Sequence, residues 1–180
     1  MASGNQVFEE LKDIGHQRNV GLTPLPFKQY IIAMTTIAAD SKGMASDSCI
    51  QTSAAIISLN AKKIQRIKGC LVGWAGSCAV CQQMINNLEN ATDAPVKYLT
   101  DNATLINDGV TLLILDKAGV IWEYDGRGAP YHLNEKFATI GSGDDIAMAA
   151  LMSGATVQKA IRIAIQLDVG SGGKMKYVKL

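Results

Sequence analysis

No stretch of the 180-residue chain is apolar for long enough to cross a bilayer. The longest runs, such as Val110 to Leu115 and Ala147 to Met152, fall far short of the roughly 20 residues a spanning helix needs. The N-terminus lacks the charged-then-apolar pattern of a secretory signal, so the expected setting is cytoplasmic, with no membrane partner. An excess of charge of either sign is also missing. Seventeen basic residues against sixteen acidic ones leave a net charge of +1. That balance provides no basic face to neutralise phosphates, and nucleic acid is not an expected partner. Histidine is confined to His16 and His132, neither with metal-ligand company, and no metal or cofactor is expected. The four cysteines include Cys78-Ala-Val-Cys81. This pair has no second ligand pair for zinc, and packed, reduced thiols are the favoured reading.

What is present reads as one folded domain, 48% hydrophobic and 18% charged. Val7, Phe8, Leu11 and Ile14 share one face of an expected helix over "NQVFEELKDI", closed by Gly15. "GLTPLPF" is broken by two prolines, after which "KQYIIAMTTIAAD" can run extended. The pattern from there is strand, turn at Ser41-Lys42-Gly43, strand, then the apolar or alternating runs "AAIISL", "KKIQRI" and "GCLVGWAG". A helix is expected from Ser77 through Leu88, and a brief one around Val96 to Leu99. "GVTLLILDKAGVIWEYDGRGAPYHL" holds strands separated by turns at Lys117-Ala118-Gly119 and Asp125-Gly126. "FATIGSG" is a strand, Asp144–Ser153 and Thr156–Leu167 are helices, and "KMKYVKL" is a closing strand. Strand and helix do not alternate as in doubly wound folds. The expectation is an antiparallel α+β domain of two stacked sheets covered outside by helices. A boundary is expected near Ala33/Met34, dividing an N-terminal extension or propeptide, residues 1–34, from a domain at 35–180.

Several motifs then agree in order and spacing. "TTIAAD" opens at Thr35, "ASDS" places Asp47 on the return strand, and "AKKIQRI" carries Lys63, sixteen residues after Asp47. "GWAGS" contains Gly76, "IGSGDD" contains Ser142, and "DVGSGG" contains Asp168 and Ser171. From Thr35 onward, about four-fifths of the chain, this set resembles the proteasome β-subunit and HslV-type threonine peptidases. The hairpin from Thr35 to Asp47 is about four residues shorter than is usual in that family. An even deletion centred on the turn keeps every side chain on its face. Aligning Asp40 instead of Asp47 would put Ile56 at the lysine position.

The resemblance implies an N-terminal nucleophile hydrolase fold, a four-layer α-β-β-α sandwich. It implies Thr35 as nucleophile, Lys63 and Asp47 beside it, a Gly76 amide in the oxyanion hole, and support from Ser142, Asp168 and Ser171. Trp74 is either the floor of the substrate pocket or a core tryptophan. The expected substrate is a peptide or an unfolded protein, in a homo-oligomeric ring that an ATP-dependent unfoldase can feed. The chemistry stands without the resemblance. A threonine hydroxyl needs a base, and a free α-amine on the same residue, with an ordinary pKa of about 7.7–8.0, is partly neutral near pH 7. A nearby lysine depresses that amine by like-charge repulsion. Within the intact chain the Thr35 nitrogen is an amide without basicity, so the Met34-Thr35 bond must be broken. Self-cleavage is one route, although the family usually has glycine where Met34 stands; removal of Met34 as an initiator is the other. Taken singly, Asp47 also reads as a solvated turn residue and Lys63 as an exposed strand lysine. The competing function classes are a catalytically silent assembly subunit and a small-amide hydrolase of the same superfamily.

Overall fold

The computed structural model describes residues 32–52, 55–104 and 106–180. The expected helix over residues 5–14 and the two-proline segment lie outside the described residues. In chain order the strands are β1 (Ile32–Ala33), β2 (Thr36–Asp40), β3 (Gly43–Ser46), β4 (Ile50–Gln51), β5 (Ile56–Ser58), β6 (Ile64–Ile67) and β7 (Cys70–Ser77). Helices α1 (Cys78–Asn90) and α2 (Pro95–Asp101) follow, then β8 (Val110–Leu115), β9 (Ile121–Tyr124), β10 (Tyr131–Leu133) and β11 (Phe137–Gly141). Helices α3 (Asp144–Met152) and α4 (Val157–Leu167) precede the last strand, β12 (Lys176–Lys179).

Two antiparallel sheets form the body. The larger runs β1-β7-β8-β9-β10, with β6 on the same flank of β7 as β1; the smaller runs β11-β2-β3-β12. A short β4-β5 ladder stands apart from both. Strand alternation sorts the side chains into three apolar layers. Val72 and Trp74 face helix α1 with Cys81, Met84, Ile85 and Leu88, whereas Leu71 and Ala75 face the other sheet with Ile37, Ala39, Met44, Leu113 and Ile140. Ala38 and Ala45 turn outward against Ala147, Ala160, Ile161 and Ala164 of α3 and α4. These small residues let both helices lie close on the smaller sheet. The order helix, sheet, sheet, helix is the four-layer α+β sandwich expected from the sequence.

The shortened β2-β3 hairpin keeps its register. Ile37 pairs with Ser46 and Asp40 with Gly43, so continuing the ladder brings Thr36 opposite Asp47, whose N–H donates to the Thr36 carbonyl at 3.1 Å. Asp40 caps the turn by accepting from the Lys42 and Gly43 N–H groups, an arrangement that suits a two-residue connection.

Candidate active site

The ends of β2, β3, β6, β7 and β11 meet the loop after α4, and six of the eight residues singled out from the sequence collect there. Lys63, immediately before β6, donates from Nζ to Asp47 Oδ1 at 2.8 Å, and both side chains are 0% exposed. The second partner of that ammonium is the Met34 carbonyl oxygen, at 3.1 Å. Asp47 also accepts the Thr36 N–H at Oδ1, and the Cys49 and Gly172 N–H groups at Oδ2, at 3.0–3.1 Å. Asp47 is therefore no solvated turn residue, and Lys63 is no exposed strand lysine. A buried ion pair is tolerated only when its remaining polar atoms are satisfied, and three backbone donors on the carboxylate meet that condition. Burial pushes the Lys63 ammonium below the ordinary lysine range, against the opposing pull of Asp47.

Thr35 is fully buried, and its carbonyl accepts the Ser142 N–H at 2.7 Å. Close approach at this point depends on Gly141. Its φ is +105°, and a Cβ there would lie 1.8 Å from the Thr35 carbonyl oxygen, so a side chain cannot be accommodated without displacing Thr35. On the other flank, Asp168 at the C-terminus of α4 gathers two hydroxyls. Ser142 Oγ donates to its Oδ2 at 2.8 Å and Ser171 Oγ at 2.6 Å, while the Gly170 N–H donates to Oδ1 at 3.0 Å. Burial alone would raise the Asp168 pKa. The hydrogen bonds from Ser171, Gly170 and Ser142, with the Lys63 charge, outweigh it and hold the carboxyl below the usual aspartate range.

Gly76 and Trp74 stand on β7. Gly76 has φ +117° and a Cβ there would meet the Gly109 carbonyl oxygen at 2.1 Å, so backbone approaches backbone where only glycine fits. Its cross-strand partners are Val110 on one side and Ala33 on the other. The residues just before Thr35 thus add to β7 beyond the end of β6, as a short antiparallel strand. Trp74, 8% exposed, packs in the layer between the larger sheet and α1.

Thr36 was not singled out from the sequence. Its N–H binds Asp47, and its Oγ1 lies 2.5 Å from Ser171 Oγ, so this one residue joins the Lys63-Asp47 pair to the Asp168 cluster. The sequence signal was only its place beside Thr35, as the first residue of β2. Cys49 and Gly172 were missed because they act through backbone N–H groups. The Cys78/Cys81 pair begins α1, but Cys81 is fully buried and donates to the Ala75 carbonyl. Burial, with the nearby Cys78, pushes its thiol up to about 12, which suits a packing residue.

No family model and no curated protein matches the chain. Solved structures do. The chain is similar to BPH from Thiobacillus denitrificans at 16% identity and TM-score 0.66, over 81% of this chain and 97% of that one. It is similar to eukaryotic HslV from Trypanosoma brucei at 24% identity and TM-score 0.62, over 81% and 99%. The same BPH solved in complex with epoxomicin gives 16% identity and TM-score 0.63, over 81% and 98%. The fold is therefore the HslV- and proteasome-like one, the N-terminal nucleophile hydrolase fold.

Proposed function

We propose that this chain is a threonine-type endopeptidase, silent while Thr35 is internal and active once residues 1–34 are removed. The observation that carries the reading is the buried Lys63 ammonium, fixed by Asp47 at 2.8 Å and pointing at the Met34 carbonyl at 3.1 Å. A cation aimed at one carbonyl of the main chain polarises the bond that precedes Thr35. In self-cleavage Thr35 Oγ attacks the Met34 carbonyl carbon, the hydroxyl proton passes to the departing Thr35 nitrogen, and water hydrolyses the resulting ester. The released α-amine then serves as base for the same hydroxyl.

In the mature site Thr35 Oγ attacks a substrate carbonyl while the amine takes its proton and later delivers it to the leaving amine. Lys63, charged and close, depresses the amine's pKa and keeps a neutral fraction available near neutral pH. The Gly76 N–H stabilises the tetrahedral oxyanion. Ser142, Asp168 and Ser171 orient the amine and relay its proton. The Ala33-Gly76 pairing supports substrate binding as an added strand along β7, and Trp74 two residues earlier would floor a shallow pocket for small or medium apolar side chains. Likeness to HslV supports a homo-oligomeric ring; we further set that ring in the cytoplasm, fed with unfolded protein by an ATP-dependent unfoldase. Exposed Met152, Leu167 and Val169 on and just after α3 and α4 offer apolar surface for such assembly. Epoxomicin, bound in the BPH complex, is expected to bind the Thr35-start chain as well.

A silent assembly subunit needs neither Thr35 nor the Lys63-Asp47 pair, and this chain has all three. The test is hydrolysis of a peptide panel against simple amides by a Thr35-start chain and its Thr35→Ala variant. Peptide cleavage abolished by the substitution supports the proposal. Cleavage of simple amides alone would assign the chain to the small-amide class, and no cleavage of either would leave the assembly role.

A further inference from the structure

Ser46 Oγ is the buried side-chain polar atom that finds no hydrogen-bond partner among the described residues. Its residue is 0% exposed, and leaving a hydroxyl desolvated and unpaired is costly enough to need a cause. Ser46 faces the gap between the sheets, the same side as Met44, and lines a cavity of about 390 Å³ together with Lys62, Lys63, Ile64, Lys176 and Val178. Lys176 of β12 is the direct cross-strand partner of Ser46, so the two side chains rise side by side into this space. The Lys176 ammonium donates to the Asn60 carbonyl at 2.9 Å, which uses one of its three donors. Lys63 is matched by Asp47, leaving Lys62 and Lys176 as charges that no carboxylate of the wall neutralises. A space far larger than one water needs, lined by Ser46, whose buried hydroxyl has no partner, and by two lysines with no carboxylate among the lining residues, suits a ligand made only of acceptors.

We propose that this cavity binds a small inorganic oxyanion of the phosphate class, held by Ser46 Oγ and the ammonium groups of Lys62 and Lys176. The site opens between β3, β6 and β12 and shares only Lys63 with the catalytic constellation. An anion there favours the charged form of Lys63, so occupancy couples to the neighbouring centre. The inference does not depend on peptidase activity.

Calorimetric titration of the full-length chain with inorganic phosphate at fixed ionic strength tests it, with chloride as the control salt. The expected result is saturable binding at one site per chain, competed by sulfate. Lys62→Gln combined with Lys176→Gln weakens it by about tenfold or more, since each substitution removes a charge-assisted hydrogen bond. Ser46→Ala is expected to weaken it too, while circular dichroism stays that of the parent; Lys62→Gln alone serves as a variant whose exposed position spares the fold. Phosphate should also raise the Tm of the parent more than that of the variants. Absence of saturation, or affinities within about twofold of the parent in the double Gln variant and Ser46→Ala alike, would overturn the proposal and leave a cavity holding water.

Discussion

Replacing Asp47 by Asn strands the Lys63 ammonium in a place where neither side chain reaches solvent. Removing one partner of a buried pair costs about 3–5 kcal/mol, because the remaining charge stays desolvated. For a chain of this size that corresponds to a fall in Tm of about 6–20 °C. The amide cannot imitate the carboxylate here. Oδ1 accepts from Lys63 and Thr36, and Oδ2 from Cys49 and Gly172, so the Asn NH2 must oppose one pair of donors. The loss should depend on pH with a definite sign. Lys63 is already below the unfolded lysine value because of burial, and without Asp47 it falls further. Between the folded and unfolded values the unfolded chain holds a proton that the folded one has shed, so stability rises with pH. The gap between parent and Asp47→Asn is therefore widest at the acidic end of the range and narrows as pH rises towards the unfolded lysine value. Denaturant titrations across that pH range measure it, and adding Lys63→Met to Asp47→Asn should remove the pH dependence. A loss of under about 1 kcal/mol, the worth of an exposed pair, or one that grows with pH, would refute the reasoning.

Gly141→Ala places a methyl 1.8 Å from the Thr35 carbonyl oxygen at φ +105°; it should cost about 1–3 kcal/mol in strain, read by denaturation, and abolish peptide cleavage. Gly76→Ala meets the Gly109 carbonyl in the same way and should lower kcat by about 100- to 1000-fold in a Thr35-start chain, as loss of an oxyanion donor does, with KM changed less. The Asp168 carboxyl is held below its ordinary value, so its stabilising contribution is present above the unfolded value of about 3.9 and is lost as pH falls through the lower folded one. Acid unfolding of the parent should be steeper there than that of Asp168→Asn.

The hairpins, the four helices and the layer order were legible because period-2 and period-3.6 patterns and glycine turns are local signals. The β4-β5 ladder was not foreseen as a separate unit. The run "AAIISL" reads as one more strand, and nothing local says that it pairs only with Ile50 and Gln51. In the site, Asp47 and Lys63 were reachable through the family resemblance, which keeps their separation of sixteen residues; the contact itself joins the ends of strands that belong to different sheets. The addition of Ile32 and Ala33 to β7 was not reachable, because backbone pairing leaves no mark in side-chain type. The same holds for the amides of Cys49 and Gly172 on Asp47. Thr36 lay beside the residue that drew attention, and its bridge from Asp47 to Ser171 depends on residues 11 and 135 positions away.

The central claim is that chemistry at Thr35 waits on breaking the bond to Met34. Intact-mass measurement of the expressed protein, with peptide hydrolysis assayed on the same sample, tests it most directly against a chain made to start at Thr35. Activity should track the fraction of chains beginning at Thr35, and uncleaved material should be lower by at least about 1000-fold, as when a nucleophile or its base is lost. Full-length chains that hydrolyse peptides as fast as the Thr35-start chain would contradict it.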